Sequence, residues 1–270
     1  MPSRYRLEVF IVRAVLPTLC LTLLPAVALA ADPSGYDIAK KADDTQKGFA
    51  GQRFDSIMEL YDASGKKTVT YKMKQFAVEG TKDNGDTTKT LIRFIAPPDS
   101  KGTALLTHET EGKEESRWLY LSETRQVKQI GGGSKSASFK GSEYSYEDLT
   151  ADSLDRYDYK NLGSEKVRGE DTWKIETKPK FPGSGYSKTI AYFHKTNLYV
   201  MKTEFYDKAG KLLKVLEADK FSKEAGYWRA HVSVMKNMQN KRKTVLKAGN
   251  YKLKLKLSPK MFTVSQLQKN

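Results

Sequence analysis

Three histidines, His108, His194 and His231, are the side chains best suited to move protons or ligate a metal near neutral pH, and they stand far apart in the chain. Each falls in or at the end of a segment that alternates like a strand. A scattered histidine in that setting reads as structural, so no metal site is expected. Gly131-Gly132-Gly133-Ser134-Lys135-Ser136 lacks the Gly before Lys and the strand-to-helix setting of a phosphate loop, and reads as a flexible hairpin. Gly183-Ser184-Gly185 is one residue too compact for a nucleophile elbow. Glu114-Glu115 and Glu147-Asp148 are adjacent acid pairs of the kind that mark solvated loops. The single cysteine, Cys20, lies in the N-terminal leader described below. Thiolate zinc sites, iron–sulfur clusters and a cysteine nucleophile are therefore excluded from the exported chain. The expectation is a protein without catalytic groups or cofactor.

What remains is charge and apolar surface. The 270 residues carry 47 Lys+Arg against 32 Asp+Glu, a formal charge of +15. The first 30 contain Arg4, Arg6 and Arg13, an apolar run from Ala14 to Leu24, and Ala28-Leu29-Ala30, the parts of a secretory signal peptide. A run of that length, broken by Pro17, is too short to span a bilayer. Loss of the three arginines and Glu8 with this leader lowers the formal charge from +15 to +13. Leu19 before Cys20 is too large for a lipid-attachment signal, so the chain is expected to be released unlipidated, with residues 31–270 forming one domain. Lys252, Lys254, Lys256 and the cluster Lys241-Arg242-Lys243 read first as the wet face of a strand, which also discourages edge aggregation. Docking on anionic headgroups or an acidic partner ranks second. Nucleic acid ranks last, because the leader sends the chain out of the cytoplasm.

These side chains need elements to carry them. Ser34 and Asp37 have capping-box spacing ahead of Ile38, Ala39 and Ala42, which predicts one short helix ended by Gly48. Beyond it the period becomes two. Val69-Tyr71-Met73, Trp228-Ala230-Val232-Val234 and Tyr251-Leu253-Leu255-Leu257 each alternate with polar residues, as strands with one wet face do. Leu60-Tyr61-Asp62-Ala63-Ser64-Gly65-Lys66 and Phe205-Tyr206-Asp207-Lys208-Ala209-Gly210-Lys211 predict two equivalent hairpins. Further turn clusters at Asn84-Gly85, Pro97-Pro98-Asp99, Gly131 to Ser134 and Pro182 to Gly185 leave room for about 10–11 strands, a barrel or strongly curved sheet. Ser142 to Leu154 breaks the pattern and reads as a short helix or a lid. Leu91 to Ile95 and Trp118 to Leu121 are apolar on both faces, so the second face needs a cover.

Several ordered blocks carry a family resemblance. They are Phe94 to Leu106 with its Pro97-Pro98-Asp99, Trp118-Leu119-Tyr120-Leu121, Val127-Lys128-Gln129-Ile130, Ser138 to Leu149, and the Phe205 to Lys211 hairpin. From about Tyr36 to Leu267 the chain resembles the outer-membrane lipoprotein-sorting (LolA-like) family, in particular its larger periplasmic branch. The resemblance implies an incomplete antiparallel β-barrel whose concave apolar side, covered by short helices, holds acyl chains. It also implies a periplasmic monomer that carries lipids or lipoproteins between inner and outer membranes, with transient membrane contact. An RND/MMPL-type exporter is an implied partner, and a non-enzymatic accessory docking on it through the basic face is the alternative function. The cavity lining expected on this basis is Phe76, Phe94, Trp118, Tyr120, Phe139, Tyr144, Met201, Phe205, Trp228 and Val232. Arg93 stands nearest to the cavity arginine with which the sorting carrier holds its lid.

Overall fold

The computed structural model describes residues 32–82, 85–110, 112–131, 134–149 and 153–269. The predicted signal peptide lies outside them. One helix, α1 (Gly35–Asp44), precedes thirteen strands. These are β1 (Gly51–Tyr61), β2 (Lys67–Val78), β3 (Thr87–Ala96), β4 (Ala104–Thr110), β5 (Ser116–Leu121), β6 (Gln126–Gln129), β7 (Tyr157–Val167), β8 (Glu170–Pro179), β9 (Lys188–His194), β10 (Val200–Tyr206), β11 (Leu212–Glu224), β12 (Tyr227–Asn237) and β13 (Lys243–Lys252). All pair antiparallel in one sheet ordered β6-β5-β4-β3-β2-β1-β13-β12-β11-β10-β9-β8-β7. β6 and β7 are its edges, so the barrel is incomplete. The count exceeds the sequence expectation because short strands such as β6 carry too few residues to show a period. Among the described residues no helix is long and apolar enough to cross a membrane.

Local chemistry accounts for the elements. Ser34 caps α1 by accepting from the Asp37 N–H, and Ile38, Ala39 and Ala42 are its buried residues. A Cβ on Gly35 would lie 2.9 Å from the Asn161 nitrogen, so only glycine lets the helix start sit this close to β7. The two predicted hairpins fold alike. Asp62 Oδ1 accepts from Ser64 N and Lys66 N, as Asp207 Oδ1 does from Ala209 N and Lys211 N. Gly65 and Gly210 supply the positive φ, +85° and +77°.

The sheet curls until its edges approach. Arg156, just before β7, reaches Glu115, just before β5, at 2.7 Å. The face across which they meet is the inner one. It carries α1 and the segment 134–149, and it buries Met58, Leu60, Tyr71, Met73, Ile92, Phe94, Leu105 and Leu119 with Phe139 and Tyr146. The outer face of β2–β5 is covered by residues 257–267, with Phe262 and Leu267 against Leu91, Ala104, Leu106 and Tyr120. That strap makes the largest departure from the sequence reading. Tyr251 to Ser258 is not one strand: β13 ends at Lys252, and Asn250 and Lys254 have φ of +55° and +58°. The chain then leaves the ladder and takes Leu257 onto the outer core.

Phe262 is fully buried. Phe262→Ala is expected to cost about 3–5 kcal/mol in urea unfolding, as aromatic truncations in cores do, whereas exposed Lys256→Ala should stay within ~0.5 kcal/mol. On the outer face of β1, Glu59 accepts from Lys247 at 2.9 Å and Lys67 at 3.2 Å. These bonds, Lys247 first, pull its carboxyl from 4.5 down to about 2. A depressed carboxyl contributes stability that is complete above its unfolded value and lost as pH falls through the folded one. Acid unfolding should therefore show a loss between pH 4.5 and about 2 that Glu59→Gln removes.

Candidate functional site: the inner face of the sheet

Register decides which side chains face inward, since directly paired residues share a face. Phe94 pairs Met73, and Phe205 pairs Lys214. Both lie on the inner face, whereas Met201 is buried at the register shift between Val200 and Lys202 on β10, where no pairing assigns it a side. Phe139 and Tyr144 join them from segment 134–149. The other residues expected in the cavity do not. Phe76 pairs Leu91, Trp118 pairs Leu106, and Tyr120 pairs Ala104; all three belong to the outer core under the strap. Arg93 also points outward and donates to the Gln266 and Leu267 carbonyls at 3.3 and 3.5 Å, so it holds the strap. Trp228 and Val232 pair Lys223 and Lys247 on the outer face. The apolar alternation of β12 therefore looks outward, while Arg229, His231, Ser233 and Met235 look in. The physical reason is that strands apolar on both faces give period two no sign. Only the pairing partner sets it.

Segment 134–149 crosses the inner face and is fastened at both ends. Near its start the Lys135 ammonium lies 2.5 Å from Glu115 Oε1, and Arg117 and Arg156 meet the same carboxylate at 3.1 and 2.7 Å. Lys135 and Arg156 also stand over the Phe181 ring, at 5.2 and 4.0 Å. At its far end Asp148 accepts from Lys214 at 2.5 Å, from the Tyr186 hydroxyl at 2.7 Å and from Ser145 N at 2.6 Å. Glu147 takes Ser184 Oγ and Gly185 N. Burial, then the nearby Asp148 charge, push the Tyr186 phenol far above its ordinary value, so it acts as a neutral donor. By sequence alone these acids read as members of solvated loops. Their true role shows only when β8, β9 and β11 are brought beside them.

Between the fastenings the segment is aromatic. Phe139 packs 5.7 Å from Phe94, which meets Tyr71 edge-on at 5.3 Å. Tyr144 sends its hydroxyl to Ser233 at 2.9 Å, and Tyr186 packs 5.1 Å from Phe205. Beside it a cavity of about 270 Å³ opens, with Tyr157, Tyr159, Tyr186, Phe205 and Leu216 in its wall and Glu147, Asp148, Ser184, Thr177 and Thr189 as its polar lining. A second cleft of about 460 Å³ lies at α1, between Tyr36, Lys40 and Phe49 on one side and Glu79, Thr88 and Glu109 on the other. The first joins aromatic walls to the two carboxylates that fasten the segment, an apolar pocket with polar anchors; the second is polar. The inner-face tyrosines of β7, Tyr157 and Tyr159, went unrecognised in the sequence, although their alternation with Asp158 and Lys160 is the signal that marks them.

The fold and inner face define an open, LolA-like sheet with a self-covered concave side. A family model described as an uncharacterized protein matches residues 86–269. The chain belongs to that family. It is 32% identical to an outer-membrane lipoprotein-sorting protein domain from Vibrio parahaemolyticus, over 87% of this chain and 98% of that one, with a TM-score of 0.81. A DUF1329 family protein from Desulfovibrio piger is 29% identical over 88% and 100% of the two chains, with a TM-score of 0.82. A LolA superfamily protein from Nitrosomonas europaea, 19% identical over 87% and 99%, shares the fold at a TM-score of 0.69. No curated protein matches the chain.

The side chains of Lys214 and Asp148 are 5% and 4% exposed. Removing one partner strands the other charge, so Asp148→Asn is expected to cost about 3–5 kcal/mol in urea unfolding. The double change Asp148→Leu with Lys214→Met should recover most of that loss. A double-mutant cycle on unfolding free energies checks both.

Proposed function

We propose that this protein is a periplasmic carrier that binds acyl chains of lipids or lipoproteins on the inner face of its sheet and moves them between inner and outer membranes. One observation carries the reading: the inner apolar face is covered by a segment of the chain itself, fastened by polar contacts, with an aromatic cavity beside it. A myristoyl-length chain gains ~0.8 kcal/mol per buried CH₂. Phe139 and Tyr144 occupy the surface such a chain would take. Displacing them offsets part of the gain, which keeps binding weak enough for release. Phe94, Phe139, Tyr144 and Phe205 are the lining retained in this reading, and Tyr157, Tyr159 and Leu216 join them. The signal peptide, the release without lipidation and the monomeric state belong to the same proposal. Its relative from Vibrio parahaemolyticus, described as lipoprotein-sorting, supports the choice of cargo class.

Native mass spectrometry and lipid extraction of protein from a periplasmic fraction test it. An acylated mass near one per protein is expected. Thr189→Phe, which fills the cavity beside Thr177, should lower the loaded fraction several-fold without lowering the melting temperature. A clean apo mass for the unmodified protein would reject the carrier. It would favour the accessory reading, in which the protein docks on an RND/MMPL-type exporter with its inner face permanently filled.

A further inference from the structure

A meander places alternate hairpin turns at opposite ends of the sheet, and the two ends differ in charge. At one end lie the β1–β2, β3–β4, β5–β6, β8–β9, β10–β11 and β12–β13 turns, residues 62–66, 97–103, 122–125, 180–187, 207–211 and 238–242. By sequence they hold eight lysines or arginines against four carboxylates. The five turns at the other end, 79–86, 111–115, 168–169, 195–199 and 225–226, hold four cations against six carboxylates. At the basic end Lys66, Lys101, Arg125, Lys208, Lys211 and Lys241 are all exposed. Among the described residues none of these six is in an ion pair, whereas Arg242 is held by Glu143 at 3.3 Å.

Apolar tips accompany them. Met238 in the β12–β13 turn and Ile95 beside the β3–β4 turn are each 39% exposed, among the largest exposures of any large apolar side chain among the described residues. The same end carries the bend of segment 134–149, where Arg242 donates to the Gly141 carbonyl at 2.9 Å and Tyr71 to the Lys140 carbonyl at 3.4 Å. We infer that this end is a docking surface for an anionic phospholipid bilayer. Cations spread over six turns, one or two to a turn, match an extended sheet of charge rather than a single acidic side chain or helix. Each lysine held near such a surface adds attraction that salt screens. Methionine and isoleucine tips can enter the headgroup region and gain by burial. Docking here would set the bend that covers the inner face directly against the lipid.

This goes beyond the carrier reading and is tested apart from it, since vesicle binding and acyl loading are separate measurements. Co-sedimentation of the purified protein with vesicles of phosphatidylcholine alone, or of phosphatidylcholine with phosphatidylglycerol, decides it. Binding only to the phosphatidylglycerol vesicles, weakened by added salt, is expected. The exposed triple change Lys66→Glu, Lys208→Glu, Lys241→Glu should reduce it at least tenfold. The control Lys82→Glu, Lys195→Glu, Lys254→Glu has the same net charge and places its changes away from the basic turns, so it should bind as the unmodified protein does. No vesicle binding, equal binding to both compositions, or an equal loss in the control would overturn the inference. A protein that carries acyl chains yet ignores both vesicles would reject this surface and leave the carrier standing.

Discussion

A thirteen-stranded sheet with two free edges has an inner face that no second sheet covers, and the rest of the structure follows from how that face is closed. Segment 134–149 does it, and its position rests on two buried charge sites. Glu115 gathers Arg117, Lys135 and Arg156 from β5, the segment start and the approach to β7. Asp148 gathers Lys214 and Tyr186. Buried ion pairs add little net stability over apolar replacements, but an unmet charge in the same place is costly. Their effect is to hold one arrangement: strands from the two halves of the sheet are brought within reach of the same short segment.

The two faces are covered by different means. On the outer face the strap at 257–267 is apolar, with its carbonyls taken by Arg93 and His108. Burial lowers the affinity of His108 for a second proton, while its bond to the Phe262 carbonyl works the other way. On the inner face the cover is aromatic in the middle and polar at its ends. Polar fastenings exchange for water at small net cost once exposed, whereas the buried area of a strap does not. In the proposed carrier, that contrast makes the inner cover the one that would give way to an apolar ligand.

The ends of the sheet add a direction. The bend of the inner cover emerges among the cationic turns, and α1 with its polar cleft closes the opposite, more acidic end. An anionic surface would therefore meet the molecule at the end where segment 134–149 bends over the inner face.

Much of this was legible before any coordinates. The capping box at Ser34, the Asp-Gly turns at 62–65 and 207–210, and period two through β2 are local features, decided by hydrogen bonds and sterics within a few residues. The ordered blocks from Phe94 to Leu149 were enough for the LolA-like sheet. Facing was not legible. Trp118 and Tyr120 differ from Leu119 by one residue, all three are apolar, and only pairing with Ala104, Leu105 and Leu106 decides that Leu119 looks in. The same holds for Trp228 and Val232 against Met235. Glu115, Glu147 and Asp148 looked like loop acids because their partners, Arg156, Ser184 and Lys214, are distant in sequence. Local chemistry is written in neighbouring residues; facing and charge pairing are settled by strands that meet only when the chain has folded.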